Sequence, residues 1–266
     1  MNAHETRTRS SWLACLLAGA ACLTLGGCAD FWDDLTSREH HFGQMFKAPP
    51  DPLIVLRDDT DGDHRARALR ALKEPQQYGG TQAQQDQIVA ILCTAVVNER
   101  QPLCRLAAIE SLSHFKDERA VEALKEAYYR ASSFDPEKAT VLRCSALRAL
   151  GETHNSKAVS LLVYVVNEPP AEGPNIDRQQ VLDERIAAAR ALGNFHREQA
   201  TKTLVGVLRT EQDVALRDRA AESLEHVTGQ HLPTDAVAWD NYLQKNPIVD
   251  QPDDKPSGVI PVSGTK

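Results

Sequence analysis

RCSALRALG, residues 143–151, sets an arginine, an alanine three residues later and a leucine four beyond that, and the same frame returns along the chain. It occurs five times: Arg65, Ala68 and Leu72; Arg105, Ala108 and Leu112; Arg143, Ala146 and Leu150; Arg185, Ala188 and Leu192; and Arg217, Ala220 and Leu224. The arginines stand 40, 38, 42 and 32 residues apart, the period of an array of stacked two-helix units. Offsets of three and seven put alanine and leucine on one helical face, and Leu69, Ile109, Leu147, Ala189 and Ala221 fill the neighbouring offset of four. Alanine admits a close neighbour, leucine fills the gap beyond it, and an arginine stem can lie along the face with its head group wet or paired. Cys144 aligns with Ala66, Leu106, Ile186 and Asp218 in the other copies, so the cysteine is variable filler.

Each frame ends near a short polar turn, as at 151–155 and 193–196, where glycine suits a left-handed cap. A second helix is expected after each turn, over Ala83–Val97, Ala120–Tyr129, Ala158–Asn167 and Ala200–Arg209. The chain is 42% hydrophobic but only 5% aromatic, which fits packed helices rich in Ala, Leu and Val. The expectation is an all-α fold, an α-solenoid of about five helical hairpins over 61–245, in which each unit needs neighbours to cover its apolar face.

The frame and its period resemble HEAT repeats, particularly the short bacterial type also seen in phycobilisome lyases. The ending Val227-Thr228-Gly229-Gln230 followed by Ala238-Trp239-Asp240-Asn241-Tyr242-Leu243 is similar to the terminal repeat of bacterial HEAT-repeat proteins, where a tryptophan helix closes the array. The resemblance implies a protein partner or scaffolding and carries no fixed chemistry.

The first 27 residues read as a signal peptide: Arg7 and Arg9 precede an apolar run from Trp12 to Leu25, too short for a mature spanning helix. Leu25-Gly26-Gly27-Cys28 resembles the lipobox of bacterial lipoproteins, which implies lipid on Cys28 and an extracytoplasmic, periplasm-facing place at the cell envelope. Residues 28–60 are expected to be a lipidated linker and cap. Phe31-Trp32 and Phe42/Met45/Phe46 would cover the first repeat or touch the bilayer, and Pro49, Pro50 and Pro52 would form a stiff strap. Residues 246–266, rich in Pro, Asp, Ser and Gly, read as a disordered tail.

The net charge of -7 opposes a nucleic-acid-binding role, because such binding needs a basic face. Connections after the second helices lengthen from Asn98–Pro102 through Arg130–Lys138 to Glu168–Gln180, and Tyr128, Tyr129 and Phe134 on that edge are candidate partner-binding residues. Asp58 to Asp63 suggests calcium, but the glycine register would make Arg57 the first ligand and Ala68 the twelfth, so a helix cap by Asp61 or Asp63 is expected instead. His114, His154, His196 and His226 fall near equivalent turns, which in stacked repeats lie about 10 Å apart, too far to share a metal. The HEAT-repeat deoxyhypusine hydroxylases carry paired His-Glu dipeptides, whereas the one such pair here is His4-Glu5. No catalytic, metal or cofactor site is expected. Cys93, Cys104 and Cys144 are read as small buried thiols. The function expected is a non-enzymatic, lipid-anchored scaffold or adaptor; a structural envelope protein that contacts cell wall or itself, or a lyase or metalloenzyme of HEAT type, are the other classes.

Overall fold

Short carboxylates start most of the helices. In the computed structural model, which describes residues 50–169 and 175–250, Asp51, Asp61, Asp117, Asp135, Asp213 and Asp235 each accept a hydrogen bond from a backbone N–H in the helix they precede. Thr81 and Gln84 form a reciprocal capping box. Asp61 takes the N–H groups of Asp63 and His64, so the acidic run at 58–63 is a helix start.

The helices are α1 (Pro52–Asp58), α2 (Gly62–Ala71), α3 (Gln82–Asn98), α4 (Pro102–Ser113), α5 (Glu118–Arg130), α6 (Pro136–Glu152), α7 (Val159–Val166), α8 (Asn175–Leu192), α9 (Glu198–Thr210), α10 (Val214–Thr228) and α11 (Ala236–Lys245). Among the described residues there is no strand, and the fold is an all-α, HEAT-like solenoid. The repeat helices α2, α4, α6, α8 and α10 pack one on the next in a continuous row. Each second helix packs most closely on the repeat helix that follows it: α3 on α4, α5 on α6, α7 on α8 and α9 on α10. In the second row α3 meets α5 and α7 meets α9, whereas α5 reaches the second-row side of the third hairpin through the 3₁₀ turn Ser156–Ala158 and the Lys157–Glu118 ion pair.

The apolar members of the repeating frame are interior residues in every copy. Ala68 and Leu72 are buried in the first, Ala108 and Leu112 in the second, and Ala146 and Leu150 in the third. Ala188 and Leu192 in the fourth, and Ala220 and Leu224 in the fifth, are closed off completely. All but Ala68 belong to one continuous apolar cluster with Ile109, Leu147 and Ala189. None of the ten offers a surface to a ligand or partner, so they define the scaffold and no binding site. Leu72 alone does this from outside its helix: α2 ends at Ala71, and Leu72 turns to extended backbone with its N–H on the Leu69 carbonyl. Burying a leucine stabilises by roughly 1.5–3 kcal/mol, so the frame supplies much of the drive for stacking.

The compact unit that holds these helices starts at Asp51. Pro52 opens α1 instead of forming a strap, because proline's missing N–H costs nothing at a helix start, and Leu53 and Leu56 pack on the core. Two of the long connections also shrink: α6 begins at Pro136 and α8 at Asn175, which leaves the insertion at 170–174 outside the described residues.

The glycines at the turns correct the expectation of left-handed caps. Gly151 lies inside α6, and a Cβ there would stand 2.8 Å from the Ala191 Cβ; at Gly193 it would stand 3.0 Å from the Ser223 Cβ. Both positions need the absence of a side chain so that successive repeat helices can approach. Positive φ occurs instead at Gly79, Gly229 and the non-glycine His154.

The last hairpin departs from the repeat. Arg209 near the end of α9 pairs with Asp240 in α11, while Glu198 at the start of α9 meets Asp250 beyond α11. Residue numbers rise along one helix as they fall along the other, so α11 runs antiparallel to α9. By contrast α3 and α5 run parallel, with Asp86 paired to Arg119 near their starts and Val97 and Glu126 both lining the groove between them further along. Trp239 of the reversed helix is fully buried and donates its indole N–H to the Pro233 carbonyl at 3.1 Å, closing the array.

Candidate functional site

The five arginines prove to be joints between units. At the end of an α-helix the last carbonyls lack partners and the macrodipole is negative, so a guanidinium there is doubly favoured. Arg105 donates to the carbonyls of Val97 and Glu99, where α3 ends, and to that of Arg130 at the end of α5. Arg65 reaches the Leu56 carbonyl at the end of α1, and Arg185 reaches Val166 at the end of α7. Arg65 and Arg185 also hold Glu99 and Glu211, the residues directly after the second helices of their own hairpins. Burial pushes the Glu211 carboxyl up, but the N–H groups of Asp213 and Gln212 and the Arg185 guanidinium together hold it below the usual glutamate range. Glu99 and Glu211 were legible only as acids just past a helix; the spacing of the arginines gives no hint that they pair.

Arg143 is the exception. Its Nη1 meets Glu184 of the next repeat helix at 3.0 Å, and the Tyr128 hydroxyl donates to the same carboxylate at 3.1 Å. Tyr128 and Glu184 are 56 positions apart, so this contact joins the second hairpin to the fourth. The Glu184 carboxyl is only 5% exposed in its side chain; burial raises its pKa against the pull of Arg143 and Tyr128. Cys144 beside it is pushed up to about 12, first by burial and then by Glu184 and Asp183, which leaves a thiol rather than a nucleophilic thiolate. Cys93, Cys104 and Cys144 are all free, with Cys104 buried and the other two half-buried.

This geometry corrects the aromatic partner set. Tyr128 is 7% exposed and works in the core, and Phe134 is half-buried beneath the Arg105 guanidinium, 4.5 Å from ring centroid to Cζ. Of the three rings only Tyr129, 58% exposed, faces solvent.

At the opposite edge, His154 and His226 each bring Nδ1 to a carbonyl of the fourth hairpin's turn, Asn194 at 3.2 Å and Gly193 at 2.9 Å. These imidazoles tie neighbouring turns together. Among the described residues no three His, Cys, Asp or Glu side chains converge as metal ligands, and no helix is long and apolar enough to cross a membrane.

The row of second helices carries the concave features. Between α1 and α3 lies a groove of about 1040 Å³ with Leu53, Ile91 and Ala95 in its lining and Arg57, Asp59 and Arg100 around it. Between α3 and α5 a groove of about 570 Å³ has an apolar floor of Val89, Ala90, Cys93 and Val97 and a charged wall of Glu118, Glu122 and Glu126. Grooves of about 490 and 510 Å³ follow on either side of α9. Arg119 pairs with Asp86, and Lys157 with Glu118, as exposed ion pairs at the rim of the α3/α5 groove.

Comparison with known proteins agrees with this architecture: residues 50–141, from the start of α1 into α6, match the family model of HEAT repeats. No curated protein matches the chain. Cys28, the signal segment at 1–27 and the aromatic residues at 31–46 lie outside the described residues. The HEAT-repeat match thus covers the first two helical hairpins and the start of the third, and the arginine-jointed hairpins beyond it continue the same HEAT-like architecture.

Proposed function

We propose that this protein is a non-enzymatic scaffold or adaptor, anchored by lipid on Cys28 at the outer face of the cytoplasmic membrane or beyond it, that binds another protein along the row of second helices. The observation that supports this most is the α3/α5 groove, whose apolar floor is rimmed by ion-paired charges. Preformed apolar concavities with a polar rim are what protein segments use as seats. HEAT repeats generally serve as protein-interaction scaffolds, in keeping with this reading. Anchor and address rest on the lipobox-like sequence alone.

A photo-reactive amino acid at Ala90, which lines the first two grooves, is expected to capture one discrete envelope protein in living cells, and Ala90→Arg to abolish its co-purification. Capture that is unchanged when the photo-reactive residue is moved to Glu152 on the other edge would defeat the reading. The anchor is tested separately: Cys28→Ser is expected to lose acyl mass and leave the membrane fraction, and retention of both would remove it.

A further inference from the structure

Two arginines on the row of repeat helices have no carboxylate partner. Five residues after each arginine of the repeating frame, a side chain leaves the helix on its outward face. In the first joint these are Arg70 on α2 and Glu110 on α4, which meet at 2.7 Å. Arg148 on α6 and Arg190 on α8 hold the same place two joints further on. Both are exposed, and neither takes part in an ion pair among the described residues. Because α6 and α8 approach so closely that a Cβ on Gly151 would stand 2.8 Å from the Ala191 Cβ, two like charges share one edge of this surface. The nearby acids do not offset them. Glu110 is taken by Arg70, Glu152 one turn past Arg148 makes no ion pair with it, and Asp183 lies about 10 Å back along α8 from Arg190.

The same face carries an apolar strip. Positions two before and one after each frame arginine lie on it, and these are Leu103 and Leu106 on α4, Val141 and Cys144 on α6, and Ile186 on α8. Leu103 is 39% exposed and Val141 54%, while Leu106, Cys144 and Ile186 are half-buried. At the ends of the row the same positions hold Asp63 and Ala66 on α2, and Ala215 and Asp218 on α10. The strip is therefore confined to the three central repeat helices, and it runs into the two arginines.

We infer that the outward face of α4, α6 and α8 is a second protein-docking surface, and that its occupant is an acidic amphipathic segment of another protein. Apolar side chains of that segment cover Leu103, Leu106, Val141 and Ile186, and a carboxylate lies between Arg148 and Arg190. Charge selects this occupant: a guanidinium fork matches a carboxylate in shape and sign, and apolar contact beside it lowers the local dielectric and strengthens the pair. The chain's net charge of -7 opposes an anionic membrane surface in its place. The surface belongs to the other row from the grooves of the second helices, so it stands independently of the partner proposed for them.

A photo-reactive amino acid in place of Val141, in the full chain and in living cells, is the probe. Mass spectrometry of the cross-linked product is expected to show a peptide of another protein, distinct from any captured at Ala90, with Asp or Glu within two helical turns of the cross-linked residue. Arg190→Glu gives Arg148 the carboxylate it lacks, as Glu110 does for Arg70, so it should leave the thermal melt of the purified protein no lower and cut the cross-link about tenfold. Arg67→Glu, an equal change of net charge on α2, should leave the cross-link as it was. The inference is overturned by a lipid or a second copy of this chain as the product, by a peptide without acidic residues, or by no product at all. A cross-link that Arg190→Glu leaves unchanged or that Arg67→Glu cuts equally, or a melt that Arg190→Glu lowers, would overturn it too.

Discussion

Arg105 and Arg217 hold the same place in the repeating frame and do different work. Arg105 is 4% exposed, donates to three carbonyls at two helix ends and is stacked on Phe134. Arg217 bonds to the Thr234 carbonyl in the link before α11, and its Nε is buried with no partner among the described residues. The interior hairpin has a following unit whose second helix runs in the regular direction; the last has a helix turned round to close the array. The contrast shows that a sequence period fixes where an arginine stands, and that its neighbours fix what it does.

The sharpest way to break this contrast is to remove both arginines. Arg105→Ala strips buried charge-assisted bonds from carbonyls that water cannot easily reach, and is expected to cost about 3–5 kcal/mol in urea unfolding. Arg217→Ala should cost about 1 kcal/mol, since it removes a carbonyl bond along with an unsatisfied buried donor. Equal losses would mean that the joints contribute no more at the centre than at the end.

Glycines sharpen the comparison next. Gly151→Ala forces a methyl to 2.8 Å from the Ala191 Cβ and should destabilise by about 1–3 kcal/mol. Gly206→Ala should stabilise by roughly 0.5–1 kcal/mol in the same assay, because it meets no atom and improves the helix.

A smaller effect separates the two buried acid–arginine pairs by pH. Glu184 has its pKa raised above the ordinary 4.5, so its contribution is fully present below that value and is lost as pH rises through the raised one. Wild-type stability relative to Glu184→Gln is therefore expected to fall as pH rises. Glu211 is lowered, so its contribution is present above 4.5 and lost as pH falls, and Glu211→Gln should show the opposite slope. Slopes of one sign would break the distinction between a carboxylate ruled by burial and one held by backbone N–H groups.

The smallest change is expected from Asp250→Ala, which removes a cap on α9 from an exposed carboxylate. A loss of about 0.5–1 kcal/mol, read as faster amide exchange in the first turn of α9, would confirm that the tail is pinned there. It would also mark the limit of the tail reading, since residues 246–250 pack on the solenoid where composition suggested an unstructured end.

Much of the architecture was legible in the sequence because stacking is a local and repeated demand. Alanine and leucine at offsets of three and seven from each arginine specify a buried stripe, from Ala68 and Leu72 at one end to Ala220 and Leu224 at the other. Asp61, Asp117 and Asp213 announce helix starts within a few residues of themselves. The candidate binding residues were less legible. Tyr128, Tyr129 and Phe134 are close in sequence and share an aromatic character, yet one is held by Glu184, one lies under Arg105, and one faces solvent. Adjacent positions on a helix point in different directions, and which direction is inward depends on hairpins far away in the chain.

The sequence by itself determined the period, the all-α class and the buried stripe, because each depends on spacing along one helix and on side-chain volume; the closing tryptophan was legible through the resemblance of the ending to a terminal HEAT repeat. Only the tertiary structure decided that the arginines tie helix ends together, that Gly151 and Gly193 serve close approach, that α11 runs backwards along α9, and that grooves open along the second helices. Those properties belong to pairs of surfaces brought together from positions tens of residues apart, and the orientation of one surface on another is set by packing and charge across the contact.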